Sequence, residues 1–519
     1  MAEEELPEAV EVEEDELPGL VGFIKSKFLD AETGRLSDER RWLTAYKNYR
    51  GIYDTASTYR SSEKSKVFVR ITKVKVLASF GQISDILFAN NKFPITVSNT
   101  PIPEGIAEFA HLATPEEQMM MNQAGNVPLS QLDDFLGGLK EKYAAAQNLK
   151  EGPSVIPGSP QIEPAAIAAR NMEKQIHDQL LDTNATNVLR HAIFESSLLG
   201  TGIIKGPFNF DKIVHNWKIE DGEKVFEPYV KTVPKIEAVS CWNFYPDPSA
   251  TNIEDAEYVI QRHRYNREQL RELANRPFFN EDAIESALEN GPQYEERYFE
   301  NTIYSENEDP LYSESRYEVF EYWGTLDLYL AREIGLELPD NITHMDSVQI
   351  NAWVVNNKVI RCVLNPFVPA RLPFHAFPYE LNPYQFFGVG VAENMEDAQL
   401  LMNGHMRMAI DNLALAGNMV FDIDETQLVP GQNMEVYPGK IFRRQSGVTG
   451  TAVNGLKFPN TAPENLQMYQ AARQLADEET GIPSISHGQT GVTGTGRTAA
   501  GLSMIMGSAG LSIKTVVKN

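Results

Sequence analysis

Cysteine is nearly absent: the 519 residues contain two, Cys241 and Cys362, in unrelated contexts. That excludes a disulfide framework and a cysteine-rich zinc site, and it fits a reducing compartment. Long apolar runs are missing as well. The richest stretch, Ala192-Ile193-Phe194 with Leu198-Leu199, falls far short of the ~20 residues that cross a bilayer, so a soluble protein with no membrane partner is expected. The first residues are acidic where a signal peptide is basic, which argues against export by that route. The nine histidines form no His-Glu-x-x-His pair, and no serine sits in a Gly-x-Ser-x-Gly elbow. Neither a catalytic residue, a metal nor a cofactor is therefore expected. The chain is long enough for three or four folding units at roughly 150 residues each.

Basic residues are also scarce. Lys and Arg number 46 against 72 Asp and Glu, for a net charge of −26. That sign repels phosphates and opposes a tight, non-specific grip on nucleic acid, without excluding DNA as something handled. The acidity is concentrated. Residues 1–16 carry nine acids and no base, which reads as a disordered tail, while residues 280–340 carry seventeen acids and three arginines, which reads as a solvated face or docking surface. From His487 to Asn519 there is no acid and there are three bases, a local reversal of sign.

Along the chain, Ser37-Asp38-Glu39-Arg40-Arg41 precedes the helical face Trp42, Ala45, Tyr46, Tyr49 and reads as its capping region. Helical spacing continues over 67–89, and 113–164 reads as a long surface excursion rich in Pro and Gly. Two helices are expected over 165–199, interrupted at Asp182-Thr183-Asn184, and then a strand after Gly200-Thr201-Gly202. Period-two stretches follow at 226–233 and 236–242. Helical pattern returns between Arg262 and Ala274 with Asn266 as candidate cap, although Arg262-His263-Arg264 has strand character. Strands are expected at 317–323 and 352–363, with Asn356-Asn357 as a hairpin turn. The most regular helix runs over 391–417, where Val391, Met395, Ala398, Met402, Met406, Ala409, Leu413 and Ala416 step by three or four. Gly404 in its middle predicts a kink or the close approach of another backbone. Met395, Met402, Met406 and Met408 read as core or adaptable contact surface. A further helix is expected near 464–479.

The sharpest motif is Gly491-Val-Thr-Gly-Thr-Gly496-Arg497-Thr498, one residue from the phosphate loop G-x-x-x-x-G-K-[ST], whose amides cradle phosphates and whose lysine reaches their oxygens. Arginine replaces that lysine, and Pro483 with two glycines stands where the preceding buried strand belongs, so a nucleotide-binding enzyme is the alternative rather than the leading reading. Gly388-Val389-Gly390 lacks the third glycine and the acid of a dinucleotide fingerprint and reads as a tight turn.

Several stretches, in order, resemble portal proteins of tailed bacteriophages, particularly short-tailed ones: Trp42 to Ser61, the helix over 67–94, Ser197-Leu-Leu-Gly-Thr-Gly-Ile-Ile-Lys205, Val239-Ser-Cys-Trp-Asn-Phe-Tyr-Pro-Asp-Pro248 with Ala256-Glu-Tyr-Val259, and Phe387-Gly-Val-Gly-Val-Ala-Glu-Asn394. The resemblance implies an α+β protomer with wing helices and small sheets, a long stem helix and a strand-containing clip. Copies, usually twelve, would form a ring at the capsid vertex, a head-tail connector through which double-stranded DNA is packaged and ejected. It implies docking to terminase and later to a tail adaptor, contact with major capsid and scaffold proteins, assembly in the host cytoplasm, and no enzymatic activity. Another head-tail junction protein is a further alternative. By analogy, 1–18 is the acidic tail, 19–279 the wing, 280–385 the clip and descending stem, 386–417 the stem helix packed through Val391, Met395, Ala398, Met402, Met406 and Leu413, and 418–519 the wing return. The channel loop is expected near 487–498, with Gly491, Thr493, Gly494, Thr495 and Arg497 facing DNA. Related chains often continue into a helical crown, so the end at Asn519 implies truncation or a minimal crown.

Overall fold

A computed structural model describes residues 19–53, 64–88, 93, 95–98, 164–215, 217–220, 223–226, 228–304, 315–334, 336, 346–418, 420–437, 439–447, 449–484 and 513–518. The longest element, α1 (Gly19–Arg50), turns Leu20, Val21, Ile24, Phe28 and Ala31 inward at helical spacing. It therefore begins well before the expected capping region. Asp38 and Glu39 are mid-helix: Glu39 pairs with Arg35 one turn back, and Asp38 with Arg41 three residues on. Charges that read as a cap are buried ion pairs.

The apolar stripe of α1 lies on a five-stranded antiparallel sheet in the order β5-β6-β7-β8-β9, formed by β5 (Phe244–Pro246), β6 (Tyr258–Tyr265), β7 (Tyr317–Asp327), β8 (Ser347–Val355) and β9 (Lys358–Leu364). Alternation along β7 divides the core. Phe320 and Tyr322 join α1 and α8 (Leu328–Glu333) on one face, while Tyr317 and Val319 join α5 (Arg267–Ala274) and α6 (Glu281–Glu289) on the other. The result is an α+β fold.

Arg262, His263 and Arg264 belong to β6, and the helix starts only after Asn266, whose side chain closes a capping box with Gln269. The Asn356-Asn357 turn is present, with φ of +45° and +64°. Asn356 Nδ2 also donates to the carbonyls of Ala287 and Gly291, tying the hairpin to the end of α6. Asn356→Ala is expected to lower stability by about 1–2 kcal/mol, because it combines a positive φ with two lost hydrogen bonds; Asn357→Gly should be neutral or better. Denaturant midpoints of the two variants check this.

The chain divides into two units. Residues 84–191 and 205–238 make the smaller one, and the rest, including α1 and the five-stranded sheet, the larger. In the smaller unit, α3 (Pro164–Asp182) and the start of α4 (Ala185–Leu199) flank a break at Asn184, whose φ is +56°. Asp182 pairs with Lys231 at 2.6 Å. The strand after Gly200 is β1 (Thr201–Val214). β2 (Trp217–Glu220) and β3 (Glu223–Phe226) form a hairpin with Trp217 opposite Phe226. The two stretches expected at 226–233 and 236–242 are instead one strand, β4 (Tyr229–Val239), after which Cys241–Asn243 turn tightly. In the smaller unit β4 neighbours β1, and β10 (Phe374–Pro378) belongs to the larger unit. The 113–163 excursion, residues 1–18 and the segment 485–512 lie outside the described residues.

Candidate functional site

The expected long helix is broken at its fifth residue. α9 (Val391–Asn394) ends at Met395, whose φ of −108° and ψ of 17° leave the helical region, and α10 (Glu396–Gly417) resumes at once. Gly404 lies inside α10, and among the described residues nothing stands within 4 Å of where its Cβ would be, so the close approach of another backbone is not found there. α10 runs beside α11 (Ala462–Thr480). The seam between them is made of Met395, Ala398 and Met402 against Ala472 and Ala476, with Ile71 of α2 (Ile71–Leu87). Alanines let the two backbones approach. Val391 is buried, Met406 half-buried, and Leu413 is 49 % exposed, so the buried stripe stops after Ala409.

A second stripe on α10 is polar. Gln399, Asn403, Arg407 and Asp411 recur every fourth residue, which places them along one line of the helix. They pin the extended segment 64–72. Asp411 accepts from the amides of Lys64 and Ser65, Asn403 from Val69, and Gln399 from the amide and hydroxyl of Thr72, while Gln399 also donates to the Val69 carbonyl. Arg407 lies 4.9 Å from the Tyr53 ring centre. The amides of Lys64, Ser65, Val69 and Thr72 and the Val69 carbonyl thus find partners that a neighbouring strand does not supply.

At the far end of α11 a lysine is fully buried. The Lys75 ammonium donates to Asp477 and to the Ile482 carbonyl, and Asp477 also accepts from the amide and hydroxyl of Ser484. Burial pushes the Lys75 pKa down, only partly offset by Asp477. Burial pulls the Asp477 carboxyl up, but hydrogen bonds from Lys75 and Ser484 outweigh it and leave its pKa below the ordinary 3.8. Nothing in the spacing of these residues announces the latch; the polar line on α10 has a signal that could have found it, its spacing of four.

The glycines of two sequence motifs meet. Gly200, at φ +98°, packs against the backbones of Gly388 and Gly390, and the Gly388 amide donates to Thr201 Oγ1 at 2.9 Å. This is a crossing of two chain segments rather than an isolated tight turn. Beside it Trp42 stands edge-on to Phe387 at 4.7 Å and to Trp242 at 5.4 Å. Arg35 donates to the carbonyls of Cys241, Trp242 and Phe244 and stacks 3.6 Å from the Tyr245 ring centre. The Trp42, Ser197–Gly202, Val239–Pro248 and Phe387–Asn394 motifs therefore build one junction. Among the described residues there is no cluster of three or more groups placed to hold a metal, and no helix long and apolar enough to cross a membrane.

The family model for the phage SU10 portal protein matches residues 169–519. The chain belongs to that family. Portal proteins are structural components of the virion, and the family implies an oligomeric ring at the capsid vertex. Two features of this portal protomer are unusual for a chain standing alone. Between 418 and 461, a segment that contains β11 (Val420–Ile423) paired with β12 (Val453–Leu456), only Leu428 and Ala452 are buried among the described residues, while Tyr437, Ile441, Leu456 and Phe458 are exposed. The outer side of α10 exposes Leu400, Leu401, Met408 and Leu415. Apolar area of that kind marks contact with another molecule. Gly491, Thr493, Gly494, Thr495 and Arg497 lie outside the described residues.

Proposed function

We propose that twelve copies of this chain close into the ring through which double-stranded DNA is packaged into the capsid and later ejected. Terminase docks during packaging and a tail adaptor replaces it; major capsid and scaffold proteins surround the wing, after assembly in the host cytoplasm. The observation that carries the ring is the helical hairpin α10/α11, whose outer sides stay apolar and uncovered on the single protomer. Heterologous contacts of one such unit with the next close a ring when the rotation permits.

Within that ring, α10 and α11 are the stem and the sparsely buried 418–461 module between them is the clip. This reading differs from the expected clip at 280–385 and takes that stretch as wing, a choice supported by its strands β7–β9, which share one sheet with β5 and β6. The back of α11 carries Gln467, Gln470, Gln474 and Glu478 on one exposed line, a polar face without a base, suited to a lumen where phosphates find no resting place. The low-acid segment at 487–498 forms the channel loop, with Arg497 touching the DNA backbone transiently.

Negative-stain images of purified protein are expected to show closed rings with a central hole; protein that stays monomeric under every assembly condition, or virions that fill without it, overturn the reading. Arg497→Ala particles are expected to package or retain less genome, measured as DNA per particle. Wild-type filling and retention would remove Arg497 from the channel.

A further inference from the structure

A glycine in the interior of a helix costs up to ~1 kcal/mol relative to alanine, and a close backbone neighbour usually explains it. Gly200, Gly388 and Gly390, outside the helices, each have backbone atoms pressed on the missing side chain. Gly404, inside one, has none: among the described residues the space beside it is open. It is surrounded by Leu400, Leu401, Met408 and Leu415, exposed by 53, 43, 39 and 56 %. At 3.6 residues per turn these five positions share about 100° of arc, opposite the seam with α11. The face is a shallow notch between large apolar side chains. Asp397 and Asp411 share that arc, so the face carries acid and no base beside its apolar side chains and offers phosphates no attraction.

We infer that this notch receives the neighbouring subunit, and that the knob is the flank of α11 formed by Met468, Ala471 and Leu475. Those three lie within about 60° of arc, beside the buried Ala472 and Ala476, with Met468 51 % and Leu475 38 % exposed. A ring needs two different, complementary faces on every copy. One hairpin carries both: a glycine notch on α10 and a convex apolar edge on α11. Small against large is how helix ridges enter grooves at close interaxial distance. This assignment rests on the ring reading and adds the residues that make the joint.

The test uses the full-length chain. Gly404→Leu places its side chain in open space, so the circular-dichroism melt of the protomer is expected to be unchanged or higher, while the protein concentration needed for rings rises about tenfold or more. Leu400→Cys and Leu475→Cys combined in one chain should give, on oxidation, a ladder of covalent oligomers that reduction collapses. Each single variant should give none, because like residues do not meet across a heterologous joint; the single variants also control for Cys241 and Cys362. Rings that assemble normally with Gly404→Leu, or a double variant that yields no ladder while wild-type rings form, overturn the inference and leave the ring intact. Dimers from a single variant, or a crosslink confined within one chain, overturn it too. A wild-type protein that never forms rings overturns both.

Discussion

Asp477→Ala is expected to destabilise the larger unit by about 3–5 kcal/mol, read as a fall in the denaturant midpoint, while Lys75→Met costs about 1–2 kcal/mol. The asymmetry follows from burial. The side chain of Lys75 is 0 % exposed and that of Asp477 25 %. Removing the carboxylate strands an ammonium with only the Ile482 carbonyl, whereas removing the ammonium leaves Asp477 bonded to Ser484 and in reach of water. The double variant should therefore resemble Lys75→Met, so the two single costs do not add and the sites are strongly coupled. Acid adds a second reading. The folded Asp477 titrates below the ordinary aspartate value of 3.8, so the stability it contributes is present above that pH and fades as pH falls through and below it. Asp477→Ala should flatten that acid limb. Midpoints of both variants equal to wild type would show that the latch holds nothing, and equal falls in both would refute the asymmetry.

Gly200→Ala is expected to cost about 2–5 kcal/mol and to reduce the soluble yield sharply. A Cβ there would press on the Gly388 carbonyl oxygen and stand 2.9 Å from the Gly390 nitrogen, and φ is +98°. Strain of about 1–2 kcal/mol from the backbone adds to overpacking of about 1–3 kcal/mol, and the obstacle is main chain that no rotamer change can clear. Gly404→Ala is the internal contrast. With open space and helical φ it should gain up to about 1 kcal/mol in the protomer. A Gly200→Ala protein that unfolds together with wild type would mean that the two segments do not cross so closely in solution.

The portal family was legible because its marks are local: glycines where two backbones must touch, and the Tyr245-Pro246-Asp247-Pro248 turn, where Asp247 accepts from the amides of Ser249 and Glu257. The Asn-Asn hairpin and the break near Asn184 were legible for the same reason, since positive φ selects few residues. The start of α1 was not. Asp38 and Glu39 have the chemistry of a helix cap, and only their partners Arg41 and Arg35, with Arg35 itself enclosed by carbonyls from 200 residues away, make them interior ion pairs.

The amino-acid order by itself determined the apolar stripes, the turns and the acidity, all properties of neighbours within a few positions, whereas the Gly200–Gly388 crossing joins segments far apart in the chain. Tertiary structure decided which stripe is buried. On α10 the Ala398–Met402 side meets α11, the Gln399–Asp411 line meets the strap, and Leu400, Leu401, Met408 and Leu415 stay exposed. Periodicity records only that a helix has an apolar side; what lies against each side depends on chain segments tens to hundreds of residues distant.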